Sequence, residues 1–148
     1  MRGSKRELAE GLFESGCNCS QAVLCAFSKE IGLDEETCKK LASSFGGGMG
    51  RMRLTCGAFS ATLMIAGILS GYSDICDYEA KCAHYKLVQD LAEEFKAMHK
   101  TLSCNALLGG NADTSYKPTP RSDDFYENRP CKQIIGDCAE MIEKRWGL

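Results

Sequence analysis

The sequence predicts an all-α fold: a single-domain, compact helical bundle (residues 1–148) of about six to seven helices around an apolar central helix at about 55–71. Three observations lead there. Apolar residues recur at helical rather than alternating spacing. The segments that carry them have helix length and are bounded by capping residues and glycines. From Leu54 to Gly71 the chain runs for 18 residues without a charge, which suits a helix enclosed by others. That run also raises the question of a membrane span. Its wealth of Gly, Ala, Ser and Thr and its isolation favour a buried helix, so no membrane partner is expected.

The elements follow in order. Residues 4–15 carry Leu8, Leu12 and Phe13 at helical spacing and stop at Gly16; residues 19–31 carry Ala22, Val23, Ala26, Phe27 and Ile31 and stop at Gly32. Asp34 caps a third helix, which ends in Gly46, Gly47 and Gly48. After the central helix, residues 75–99 form the longest one. Tyr78, Cys82, Tyr85, Val88, Ala92 and Phe95 step along one of its faces, so Cys82 is expected in the core. A short helix near 104–108 and a final one over about 131–146 complete the set. Between them, about 109–130 holds all three prolines and reads as one long loop, of a length seldom kept in a compact protein unless functional or disordered.

Composition narrows the setting. A chain of 148 residues with 44% hydrophobic content can bury a core without disulfide staples. The net charge of -2, with Lys and Arg spread along the chain, offers no basic patch and argues against nucleic acid. The start "MRGSKRELAEGLF" has no apolar export signal, so a cytoplasmic location is expected. In such a reducing setting ten cysteines point to metal binding or redox chemistry, or simply to core filling.

Position separates these uses. Asn18, with Gln21 three residues on, makes a capping box, which puts Cys19 first in its helix. Thr55 as a cap does the same for Cys56, Ser103 for Cys104, and Pro130 immediately precedes Cys131. Four helices are thus predicted to begin with a cysteine. The free N–H groups and dipole of a helix start favour the thiolate, the nucleophilic and metal-binding form, and are expected to lower its pKa. The other cysteines, Cys17, Cys25, Cys38, Cys76, Cys82 and Cys138, lie within helices or just before one, and the sequence gives them no chemical role.

Taken in order, "SGCNCSQAVLCAF", "ASSFGGGMGRMRLTCGAFSATLMIAGILSG", "TLSCNALLG" and "RPCKQIIGDCAEMIEK" resemble the C_GCAxxG_C_C family, whose redox activity is inferred from its cysteines. The resemblance runs from about residue 8 to 143. It carries the family's cysteines onto Cys19, Cys56, Cys104 and Cys131 as catalytic, cofactor-binding or metal-binding residues. One departure is "TCGAFSA", in which Gly57 follows the cysteine and Ala61 takes the last place. The resemblance also implies kinship with cysteine domains joined to haem segments in split-Soret cytochromes. No C-x-x-C-H occurs here, so no covalent haem is expected.

Three chemistries stay open for the four cysteines: an iron–sulfur centre, thiol–disulfide or peroxide chemistry by a pair such as Cys19 and Cys56, and a structural zinc site. No C-x-x-C exists in the chain, which removes ferredoxin spacing, the thioredoxin motif and zinc knuckles alike. Redox function ranks above structural zinc, with a redox protein or a small-molecule substrate as partner, and a homo-oligomer is compatible with this reading. "FGGGMG" lacks the Lys-Ser or Lys-Thr and the preceding strand of a phosphate loop, and reads as a helix end with tight backbone near Cys56. Arg51 and Arg53 read as solvated flanks, with positive charge beside the site as the alternative. His99 reads as a helix-end histidine, with a ligand or proton-donor role as the alternative; His84 offers nothing beyond its position.

Overall fold

The computed structural model describes residues 4–148; Met1 to Gly3, part of the stretch read for an export signal, lie outside the described residues. It is all-α. Helix α1 (Lys5–Glu14) starts at Ser4, whose side chain accepts the Glu7 N–H. Helix α2 (Cys19–Ala26) opens on the expected capping box: Asn18 accepts the Gln21 N–H at 2.8 Å, and Gln21 accepts the Asn18 N–H at 3.0 Å. The helix expected over 19–31 is broken at Phe27, whose N–H reaches Leu24 O instead of continuing the ladder, so α3 (Ser28–Ile31) is a separate turn. The break lets both Phe27 and Ile31 stay buried.

Asp34 caps α4 (Glu35–Ala42), and a 3-10 turn at Ser43–Phe45 leads into α5 (Gly46–Met49), which is left-handed at Gly47 and Gly48. Then come α6 (Gly57–Ser70), α7 (Tyr78–His99), α8 (Cys104–Leu107), α9 (Asp123–Glu127) and α10 (Cys131–Trp146). Among the described residues there is no strand, only one isolated antiparallel bridge, Thr55 with Ser103.

Helix α6 sits centrally, as its uncharged sequence requires, packing against α2, α7 and α10, while α10 also covers α1 and α2. Phe13, Leu24, Phe27, Ile65, Phe95, Ile135 and Ile142 belong to one continuous buried cluster. Thr62 is tolerated there because its hydroxyl donates to Ala58 O at 2.9 Å. No helix among the described residues is long and apolar enough to cross a membrane.

Two expectations are corrected. Cys82 is not in the core: Tyr78, Cys82 and Tyr85 are exposed, and α7 buries only Leu91 and Phe95. At 1.5 Å per residue the 22-residue α7 is about 33 Å long and the 14-residue α6 about 21 Å, so the first turns of α7 outrun the bundle. The segment 109–130 is not wholly loop either. Ser122 accepts the Phe125 N–H and starts α9, a capping signal hidden among prolines. This segment folds across the cysteine end of the bundle. The Arg121 guanidinium lies over the rings of Phe13 (4.7 Å) and Phe125 (4.6 Å) and donates to Phe13 O and Cys17 O, tying the segment to α1.

Candidate functional site

The bridge between Thr55 and Ser103 places two helix starts side by side. Cys56 N–H donates to Leu102 O at 2.8 Å, and Cys104 N–H donates to Leu54 O at 2.6 Å. Thr55 is therefore part of the bridge, and Cys56 itself is the N-cap of α6 rather than its first helical residue. Cys104 is first in α8, where the Ser103 side chain accepts the Ala106 N–H, and Cys131 is first in α10 after Pro130. The glycines allow the close approach. A Cβ on Gly57 would lie 2.6 Å from Cys19 Sγ, and one on Gly48, already at φ +70, would lie 2.6 Å from Cys104 Cβ. Tight backbone is the use of "FGGGMG", and it serves Cys104 as much as its own helix end.

Cys19, Cys56, Cys104 and Cys131 line one cavity of about 280 Å³. Cys56 and Cys104 are buried, Cys19 and Cys131 half-buried, and all are free thiols. Among the described residues, no group of three or more His, Cys, Asp or Glu side chains is already arranged to hold a metal ion.

The expected lowering of thiol pKa at helix starts is reversed at Cys19, Cys56 and Cys131. Burial pushes Cys19 up, although N–H groups of Gly47, Ser20 and Gly57 hydrogen-bond its sulfur and pull the other way. Burial also pushes Cys56 well up, helped by the neighbouring Cys19 and Cys138, against the N–H groups of Phe59 and Ala58. Cys131 is pushed up to about 12 by burial and by Cys19 and Cys104, with Arg129 and Arg53 opposing. The amide donors that favour a thiolate are present. Desolvation outweighs them.

The sequence reading missed Cys138. It is fully buried on α10, hydrogen-bonded to Thr62, pushed up to about 12 by burial, and close enough to Cys56 to raise that thiol. Cys25 and Cys38 form a separate buried pair between α2 and α4, and Cys76 is exposed.

Among the described residues four arginines, Arg51, Arg53, Arg121 and Arg129, line the same cavity, and no Asp, Glu, Lys or His does. Arg51 and Arg53 are therefore not solvated flanks. Arg53 is 5% exposed, and its Nη1 stands 3.7 Å from Cys104 Sγ. Left-handed backbone at Met49, Arg51 and Arg53 winds this stretch against α8, an arrangement that no local residue pattern announces. Burial and the charges of Arg53 and Arg129 push the Arg51 pKa down. A usable signal was their placement: Arg53 precedes Cys56 by three residues and Arg129 precedes Cys131 by two. His99 lies away from the cavity, paired with Asp137 at 3.0 Å and with its ring tilted against that of Phe95, so its ligand reading gains no support. His84 packs against Tyr72.

Fold and site together define a class: an all-α cysteine protein that gathers four thiols from four helix starts onto one arginine-lined cavity. The chain belongs to the C_GCAxxG_C_C family, described as "Putative redox-active protein (C_GCAxxG_C_C)", whose pattern it matches over residues 17–145. Among curated proteins and solved structures, none matches the chain.

Proposed function

We propose that the chain is an electron-transfer protein whose redox centre is held by Cys19, Cys56, Cys104 and Cys131, with an iron–sulfur or related metal–thiolate centre as the favoured form. One observation carries this reading. Four sulfur donors from four helix starts converge on one cavity that no Asp, Glu or His lines among the described residues. The donor set suits such a centre, because thiolates are the ligands of iron–sulfur clusters. When bound, the centre supplies one-electron chemistry. The chain supplies desolvation, the N–H donors of Gly47, Ser20 and Gly57 at the Cys19 sulfur, and the Arg53 charge beside Cys104, which offsets the negative charge of thiolate ligands.

The raised thiol pKa values bear on the choice. Buried thiols that keep their protons at neutral pH are poor nucleophiles, whereas a bound cation compensates their ionisation. Thiol–disulfide chemistry remains as a second reading, favoured by the closeness of Cys19 and Cys56. In it the two thiols give two electrons and two protons to an acceptor and form one S–S bond.

Protein purified without oxygen separates these readings through its visible absorbance and its iron, zinc and acid-labile sulfide content. Expected is a coloured protein with iron and sulfide, both lost in Cys19→Ser, Cys56→Ser, Cys104→Ser and Cys131→Ser and kept in Cys82→Ser. A metal-free protein that forms a reversible Cys19–Cys56 disulfide favours the second reading. Colourless protein with stoichiometric zinc would make the site structural.

A further inference from the structure

Arg53 is a buried cation with incomplete bonding. Its Nε donates to the Asp113 carbonyl at 2.9 Å and its Nη1 points to Cys104 Sγ at 3.7 Å, but its enclosed Nη2 has no hydrogen-bond partner among the described residues. The Asp113 carboxylate, 67% exposed, faces Arg51 Nη2 at 3.4 Å instead. A guanidinium buried without a carboxylate and with an unused donor destabilises the fold unless an acceptor arrives. Its backbone is also held at φ +62, a conformation that a non-glycine residue keeps only where the surroundings impose it.

The neighbourhood repeats the pattern. Arg51 Nη1 and Arg129 Nη2 both donate to the Thr119 hydroxyl, at 3.2 and 3.3 Å, so two cations share one neutral acceptor. Arg53 and Arg129 also line an adjoining chamber of about 310 Å³ built largely from residues 111–128. Arg53 and Arg129 thus stand in the wall between the thiol cavity and a second chamber; among the described residues carboxylates, those of Asp113 and Asp124, line only the second chamber, and the thiol side holds none.

We infer that this wall is a binding site for a small oxyanion or carboxylate-bearing molecule, seated on Arg53 Nη2 with Arg51 and Arg129 beside the Cys104 sulfur. Guanidinium forks match the paired oxygens of carboxylate, sulfate and phosphate, and these charge-assisted bonds are the strong ones. Chambers of this size admit a small acid and no macromolecule. The binding step stands apart from the redox proposal. That the bound acid is the small-molecule partner of the thiol centre rests on that proposal, since Arg53 touches both.

Isothermal titration of the 148-residue chain, reduced and in low-salt buffer, with sodium sulfate, inorganic phosphate and succinate as probes, tests it. Expected is saturable one-to-one binding of at least one probe, weakened by about tenfold or more in Arg53→Gln and in Arg129→Gln, and partly kept in Arg53→Lys. Cys82→Ser, an exposed thiol outside the cavity, should bind within about twofold of the parent. Absence of saturable binding by all three probes overturns the inference, as does binding that Arg53→Gln and Arg129→Gln leave intact. Binding that emerges only in Cys104→Ser would identify the Cys104 sulfur as the native partner of the guanidinium and overturn it too. Should Arg53→Gln fail to fold, Arg53→Lys and Arg129→Gln decide. Iron and sulfide are assayed on the same samples. A metal-free protein that binds sulfate sinks only the redox-centre proposal, and a metal-containing one that binds no probe sinks only this inference.

Discussion

Thr55 and Ser103 pair across an antiparallel bridge, and that contact joins the starts of α6 and α8, with Cys56 and Cys104 as the residues that flank it. The cap that follows fixes Cys104, since Ser103 Oγ accepts the Ala106 N–H at 3.2 Å. Ser103→Ala should therefore cost about 0.5–2 kcal/mol in chemical denaturation. Asn18→Ala, which removes the capping box before Cys19, should cost a similar amount. Unchanged stability in both variants would mean that these side chains do not hold the cysteine ends in place.

Thiol reactivity should follow exposure. Cys76 and Cys82 are exposed, whereas burial raises the pKa of Cys19, Cys56 and Cys131. Iodoacetamide at neutral pH, read by mass spectrometry of peptides from metal-free, reduced protein, should label Cys76 and Cys82 first. The buried thiols should follow only under denaturant. Labelling of Cys19 or Cys56 as fast as Cys82 would show that their amide donors do win over desolvation.

What the sequence reveals is what depends on near neighbours. The Asn18–Gln21 box is an interaction over three residues, so it and the start of α2 are legible, as is Cys131 after Pro130 at the start of α10. The helix-start positions of Cys19, Cys104 and Cys131 follow from such local signals. Depth is not local. The same periodicity that marks Phe95 as buried marks Cys82 too, and only the finite length of α6 decides which of them finds a partner. Arg53 is the opposite case. A charged residue beside glycines reads as solvated until left-handed backbone and the 109–130 segment enclose it.

Two glycine replacements should move stability in opposite directions. Gly11 is exposed within α1 and nothing lies within 4 Å of an added Cβ, so Gly11→Ala should stabilise by about 0.5–1 kcal/mol. Gly57→Ala would drive a methyl to 2.6 Å from Cys19 Sγ and against the Phe45 carbonyl, costing about 1–3 kcal/mol. Thermal melting checks both. If the centre resides on Cys19, Gly57→Ala should also lower the iron content. A Gly57→Ala protein as stable as the parent would show that the Cys19 wall is looser than its geometry implies.

Alkaline pH should unfold the protein through its buried thiols. Burial pushes Cys138 and Cys131 up to about 12 from an ordinary value of 9.0. Between these values the unfolded chain has lost protons that the folded chain still holds. The stabilisation is therefore complete below about pH 9 and lost as the pH rises towards 12, at ~1.4 kcal/mol per pH unit for each such thiol. Urea unfolding of metal-free protein at pH 7.5, 9 and 10.5 should show the decline setting in above 9. Lysines titrate in the same range, so the informative comparison is with Cys138→Ala. That variant is less stable at pH 7.5, because it leaves a small cavity beside Thr62, yet its stability should fall less steeply above pH 9 by one thiol's share. Parallel slopes for parent and variant would show that Cys138 ionises as readily folded as unfolded, and that α10 does not shield it from water.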